Sequence, residues 1–275
     1  MAQPNHFRRF MAIWLLASAV ITPVAIILLA PVIPPGNGSV QASGHVTDNE
    51  VLLAGAIPVL LMVVIYLVYS IIYFREGSGA VTEGPAIRGD SRVQITWIVI
   101  TSALVLSLAG YGSAELINDG AGSGQGPNPA FPAAGKPLQV QVIGQEWMFT
   151  YRYPSYGGIE TPHLVIPVNQ LVELHVTSLD VIHSFWAYQL GVKADANPQQ
   201  DNIAYVTPTK VEPFTIRCAE LCGIWHGYMY DTGRVVTASA FQSWIKSQQT
   251  RFAPIAKDLP PYATTYLPTP PGRGS

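Results

Sequence analysis

Cysteine is almost missing from this sequence: Cys218 and Cys222 are the only two in 275 residues. They lie in one short stretch, so none is left over to carry a lipid anchor. Charge is also scarce. Asp, Glu, Lys and Arg make up 12% of the chain and nearly cancel to a net of -2. Nothing in that balance suggests a nucleic-acid partner. What fills the space is apolar. Hydrophobic residues reach 49% and mean hydropathy is positive, which indicates a membrane protein with an attached globular part.

Three apolar runs precede the midpoint, at about 11–33, 51–74 and 93–111. Each is long enough to cross a hydrocarbon core of about 30 Å as a helix. Pro23 and Pro31 interrupt the first and Pro58 the second, kinks that membrane helices tolerate when neighbours satisfy the freed carbonyls. Arg8 and Arg9 before the first run, with Val40-Gln41-Ala42 beyond it, also fit a cleavable signal peptide. The run exceeds a signal core of about 7 to 15 residues, which favours a retained third helix over two. Arg8, Arg9, Arg75, Arg88 and Arg92 flank one side of the spans, whereas Pro34 to Glu50 carries no Lys or Arg. The positive-inside rule places the N-terminus in the cytoplasm and everything beyond about Glu115 outside. Tyr66, Tyr69, Tyr73 and Trp97 read as interface or packing aromatics.

The outer half opens with a Gly- and Pro-rich stretch, 118–136, expected to be a linker. From 137 to about 250, short alternating runs such as Leu138-Gln139-Val140-Gln141-Val142 are separated by Gly, Pro and Asn. That spacing predicts a Greek-key β-sandwich or barrel. Phe241, Trp244 and Ile245 then share a helical face, which predicts a short closing helix. The Pro-rich 251–275 reads as an extended tail.

The chemistry sits in Cys218-Ala219-Glu220-Leu221-Cys222-Gly223-Ile224-Trp225-His226-Gly227-Tyr228-Met229. Two thiolates, an imidazole and a thioether form a soft ligand set that selects copper over magnesium or calcium. The two sulfurs can bridge two copper ions, each capped by one histidine. His226 supplies one cap and His183 is the leading choice for the other. Three other readings compete: a Cys218–Cys222 disulfide, a mononuclear copper site of His183, Cys222, His226 and Met229, and a zinc site. The mononuclear site leaves Cys218 idle, and zinc has no use for Met229. The remaining histidines, His6, His45, His163 and His175, lack metal-ligand spacing and are expected at the surface, His175 alternating outward in a strand.

This stretch resembles the copper-A loop of cytochrome c oxidase subunit II, whose pattern runs C-x-E-x-C-x-x-x-H-x-x-M. The likeness extends to His183, to Gly144-Gln145-Glu146-Trp147 and to the apolar hairpin upstream. It implies a membrane-anchored, cupredoxin-type sandwich that takes single electrons from a soluble donor, a cytochrome c or a small copper protein. Those electrons pass to haem in subunit I, where oxygen is reduced. Carried over residue by residue, Cys218 and Cys222 bridge a dinuclear copper centre capped by His183 and His226. Met229 and the Glu220 carbonyl are the axial ligands. The Glu220 carboxylate helps hold a magnesium ion shared with subunit I, Trp147 admits electrons, and Asp180 lies near donor docking.

One departure stands out. Gln94 occupies the place of a family Glu near a proton path, three residues before Trp97. An amide cannot release a proton, and Glu76 and Glu83 read as solvated loop charge. Ten bases face ten acids between Lys136 and Arg273, so any electrostatic steering of a donor is local or weak. A quinol oxidase subunit would lack the copper ligands. A freestanding membrane-anchored cupredoxin is the alternative of a different class, disfavoured by Glu220 and Trp147. The lack of a Ser/Arg-rich leader points to a bacterial plasma membrane, with the copper domain on its outer face.

Overall fold

A computed structural model of the chain describes residues 5–34, 36–75 and 89–256. It divides into two compact units. One comprises Met1–Ala30 and Thr47–Leu116, the other Pro31–Val46 and Ile117–Ser275.

The first unit is helical, built from α1 (His6–Leu29), most of α2 (Val40–Tyr73) and most of α3 (Ser91–Asp119). All three helices are long and apolar enough to cross a membrane. The side chain of Asn5 caps α1 by accepting from the Arg8 amide at 3.1 Å, satisfying one of the orphan donors of the first turn. The Pro58 carbonyl in α2 accepts from the Trp14 indole at 2.8 Å. His6, expected at the surface, instead meets the Tyr69 hydroxyl at 2.8 Å and packs edge-on against Tyr69 and Tyr73. Tyr69 is buried, whereas Trp97 is exposed. Gln94 stands exposed in the first turn of α3. Glu76, Glu83 and Arg88 lie outside the described residues.

The second unit is a β-sandwich. Its strands are β1 (Leu138–Gln145), β2 (Met148–Tyr153), β3 (Ile159–Thr161), β4 (Val165–Pro167), β5 (Val172–Ser178), β6 (His183–Ala187), β7 (Val192–Ala196), β8 (Asn202–Val206), β9 (Pro213–Cys218) and β10 (Tyr230–Val236). One sheet is ordered β3-β2-β1-β5-β8 and the other β4-β10-β9-β6-β7. Most neighbours run antiparallel, but β1 with β5 and β4 with β10 are parallel. Alternation does what the sequence asks of it. Val140, Val142, Leu174, Val176, Phe214 and Ile216 turn inward and fill a shared core. The closing helix α4 (Ala238–Ala256) seals that core with Phe241 and Ile245, both buried. Truncating Phe241 to alanine would cost about 3–5 kcal/mol. The helix runs to Ala256, six residues into the stretch expected as tail; 257–275 lie outside the described residues.

The stretch expected as a linker, and a second stretch about the start of α2, are parts of the sandwich unit. The expected linker 118–136 begins as the last turn of α3 and a 3-10 turn at Gly120–Gly122. It then pairs with strand edges: the Gly124 amide donates to Lys193 O at 3.0 Å and the Gln125 amide to Ile203 O at 3.0 Å. Low hydrophobicity hid this, because the contacts are made by backbone. The stretch about the start of α2 behaves likewise. The Gly38 amide donates to Gln189 O at 2.8 Å, the Ser39 hydroxyl to Leu190 O at 2.6 Å, and the Gln41 side chain accepts from the Thr207 amide at 3.0 Å. Ser39, Gln41 and Ala42 are buried in consequence.

His175 is the clearest correction. It does point to the outer face of β5, away from the core, yet it is only 3% exposed. Asp201, at the entry to β8, meets Nδ1 at 2.8 Å and Glu173 meets Nε2 at 2.8 Å. Burial pushes this imidazole toward neutrality, but the two carboxylates outweigh it and hold the ring's pKa above its ordinary value. A pKa raised by folding stabilises the fold fully below the unfolded value of about 6.5, and that gain is lost as pH rises through the folded value. The thermal midpoint of the detergent-solubilised chain, followed by circular dichroism, should therefore fall as pH is raised above about 6.5. His175→Gln should lessen that fall, leaving the part that His183 contributes.

Candidate metal centre

One sheet delivers both His183 and Cys218 to one end of the sandwich through strand pairing. His183 opens β6, and β6 pairs with β9 so that Phe185 lies opposite Cys218, the last residue of β9. The loop that follows is closed at its base by the Cys218 amide donating to Met229 O at 3.0 Å, beside the Ala219 amide on Ser184 O at 2.9 Å. Inside the loop Gly223 adopts φ +113, a conformation that other residues rarely take. The chain can then double back into the short turn His226–Tyr228. Cys222, His226 and Met229 all face inward as a result.

Their atoms converge on the two sulfurs. Cys218 Sγ and Cys222 Sγ are 3.6 Å apart and both cysteines are free. A disulfide requires about 2.05 Å. Two metal–sulfur bonds of about 2.3 Å can span up to roughly 4.6 Å, so the gap suits ions held between the sulfurs. Around this pair stand His183 Nδ1, 3.9 Å from Cys218 Sγ, and the Glu220 carbonyl, 3.2 Å from the same sulfur. His226 Nδ1 lies 3.5 Å and Met229 Sδ 3.8 Å from Cys222 Sγ. His183, Cys218 and Cys222 place their ligand atoms within 4.8 Å of one another, and His226 falls outside that group. Each sulfur therefore has its own imidazole. All six residues named from the sequence meet here, Glu220 through its backbone while its side chain is exposed.

The electrostatics set the two sulfurs apart, favouring a thiolate at Cys218 and a thiol at Cys222. Burial alone would push the Cys218 thiol up. Hydrogen bonds from His183 and from backbone groups of Ser184 and Glu220 reverse this and pull it below its usual range. Cys222 moves up, through burial and the neighbouring Cys218 sulfur. His183 is driven down by burial, but the Cys218 sulfur and the Asp180 carboxylate raise it overall. Soft thiolates, a thioether and imidazoles at these separations fit copper.

The surroundings hold residues the sequence left vague. Trp147 is half-buried in the turn between β1 and β2 and donates from Nε1 to Cys222 O at 3.0 Å. Phe149 stands edge-on to His183 at 6.3 Å. Asp180 was expected to face a donor, yet its carboxylate meets His183 Nε2 at 2.9 Å and accepts from the Glu146 amide at 2.7 Å. Leu221 and Ile224 are 79% and 84% exposed, and Tyr228 and Tyr230 are also exposed. This apolar rim has no periodicity to announce it. Gly144 is a residue whose role only geometry reveals: a Cβ there would lie 3.0 Å from His183 Cδ2 and 3.3 Å from its Cγ. Since His183 is fully buried, Gly144→Ala should displace the ring. We expect copper affinity to fall about tenfold or more while far-UV circular dichroism stays unchanged.

Comparison with known proteins agrees with the site. The family described as cytochrome C oxidase subunit II, periplasmic domain, matches residues 159–236. The cytochrome c oxidase subunit 2 of Synechocystis sp. is 28% identical over 242 residues, covering 74% of this chain and 72% of that protein. That of Bacillus subtilis is 28% identical over 257 residues, covering 86% and 70%. The crystal structure of the periplasmic domain of subunit II of cytochrome oxidase (CoxB) of Bradyrhizobium japonicum is 32% identical. It covers 44% of this chain and 98% of that one, with a TM-score of 0.42. On the matched segment, the filled loop pattern and the two subunit 2 relatives, the chain belongs to the cytochrome c oxidase subunit II family.

Proposed function

We propose that this chain is the electron-entry subunit of a respiratory haem-copper oxidase, holding a dinuclear copper-A centre. The observation that carries the reading is the arrangement about the two sulfurs: two thiols 3.6 Å apart, with one imidazole near each. A mononuclear site would need both imidazoles on one ion, and His226 stands apart from the group that includes His183. Cys218 and Cys222 would bridge, His183 and His226 would cap, and Met229 and the Glu220 carbonyl would complete the shell. When bound, such a pair supplies a one-electron couple shared between two metals.

The protein's own part is to hold and to shield. Cys218, Cys222, His183 and Met229 are buried, so no substrate can reach an open coordination position as in catalytic metal sites. Oxygen chemistry then belongs to subunit I. Trp147 offers an entry, because its indole is partly exposed and its N–H bonds the carbonyl of Cys222. The donor is a soluble protein, a cytochrome c or a small copper protein, and the exposed apolar rim gives it or subunit I a surface to cover. The exposed Glu220 carboxylate is a hard ligand suited to magnesium at the boundary with subunit I. The three apolar helices anchor the subunit in a bacterial plasma membrane with the sandwich on the outer face. A freestanding membrane-anchored cupredoxin would give these features no partner to serve.

The full chain in detergent, loaded with copper, should bind two ions and give a seven-line hyperfine pattern by electron paramagnetic resonance. Cys218→Ser should abolish that pattern. A four-line pattern with one ion per chain would sink the proposal.

A further inference from the structure

The geometry points to Asp180 as a positioning residue: one carboxylate fixes His183 with Nδ1 toward the sulfurs and fastens the Trp147 turn to that same imidazole. This rests on the copper-A reading above and deepens it. The family likeness would give Asp180 a different task, offering negative charge to a docking donor. A docking carboxylate has to present its oxygens to the partner, and here both are already engaged. Oδ1 accepts from the Val181 amide at 2.7 Å, stands 2.9 Å from His183 Nε2 and lies 3.2 Å from the Ser178 hydroxyl. Oδ2 accepts from the Glu146 amide at 2.7 Å. Three donors therefore hold the carboxylate, the Val181 and Glu146 amides and the His183 ring, since the single Ser178 hydroxyl proton goes to Val181 O.

Each bond has a consequence for the centre. A carboxylate on Nε2 keeps the proton there, so Nδ1 turns a lone pair toward Cys218. The Glu146 amide belongs to the turn that carries Trp147, and the Leu179 amide returns a bond to Gly144 O at 2.9 Å. Asp180 therefore ties the loop before β6 to the turn after β1. The distance from the Trp147 indole to Cys222 then depends on the same group that aims His183. Ser178 steadies the arrangement, accepting from the Asp180 amide at 3.2 Å and donating to Val181 O at 2.5 Å.

Charge and geometry can be separated by experiment. Asp180→Asn removes the charge, whereas Asp180→Glu keeps it and moves the oxygens by one methylene. In the full copper-loaded chain, with no donor protein present, both variants should lower copper affinity about 10–100-fold. Both should also shift the hyperfine splitting and the reduction potential. Variants that keep the wild-type affinity, spectrum and potential, and lose only salt-dependent electron uptake from a lysine-rimmed cytochrome c, would overturn the inference in favour of docking.

A second measurement needs neither metal nor a folded variant. In the metal-free wild-type chain, labelled with nitrogen-15 at histidine and read at alkaline pH, His183 should carry its proton on Nε2. A proton on Nδ1 would overturn the inference. A wild-type chain that loads a single copper would instead overturn the dinuclear reading, and the tautomer result would stand apart from it.

Discussion

Two thiols are held within bonding reach of a shared ion but well beyond bonding reach of each other, and the rest of the sandwich is arranged to keep them so. The 3.6 Å gap is not a property of the loop alone. Cys218 is the last residue of a strand fixed on both sides, by β6 and by β10. Cys222 is placed by a turn that only Gly223 allows. A loop free to relax would let the sulfurs drift apart or oxidise together. Clamping its ends with the Cys218 amide on Met229 O removes most of that freedom before any ion arrives. This is preorganisation, in which the ordering cost is met during folding.

The same economy of position explains why the neighbouring residues are small or aromatic. Gly144 leaves room for a buried imidazole, Phe149 stands at its edge, and Trp147 lies against Gly223. Gly144 could not be enlarged without crowding His183. The buried His183 ring needs a partner for its outer nitrogen, and Asp180, held by two backbone amides, supplies it.

Much of this was legible in the sequence because its signals are local. The loop carries its ligands within twelve residues, and the apolar runs declare three helices by length. The core strands show their alternation directly. What stayed hidden depends on residues far apart in sequence. His175 alternates outward as expected, but the turn bearing Asp201 folds over it, and no pattern in β5 foretells that cover. Asp180 looks like surface charge until His183 and Glu146 are seen to converge on it. The Gly-rich stretch 118–136 reads as a linker because it lacks side-chain periodicity, yet its backbone completes sheet edges. Alternation and helical period report on side chains; pairing made by main-chain atoms leaves no such trace.

The seam formed by Gly38, Ser39 and Gln41 has a practical corollary. The sandwich is discontinuous in the chain: part of its surface is supplied by Pro31–Val46, which ends in the first turns of α2. A fragment cut after α3 would keep every strand and every ligand. It would nonetheless bare the Leu190 carbonyl and the Thr207 amide to water and uncover the side of the sheet that Ala42 fills. The natural border of the metal-binding half is thus not one point along the polypeptide but three, after Ala30, Val46 and Leu116.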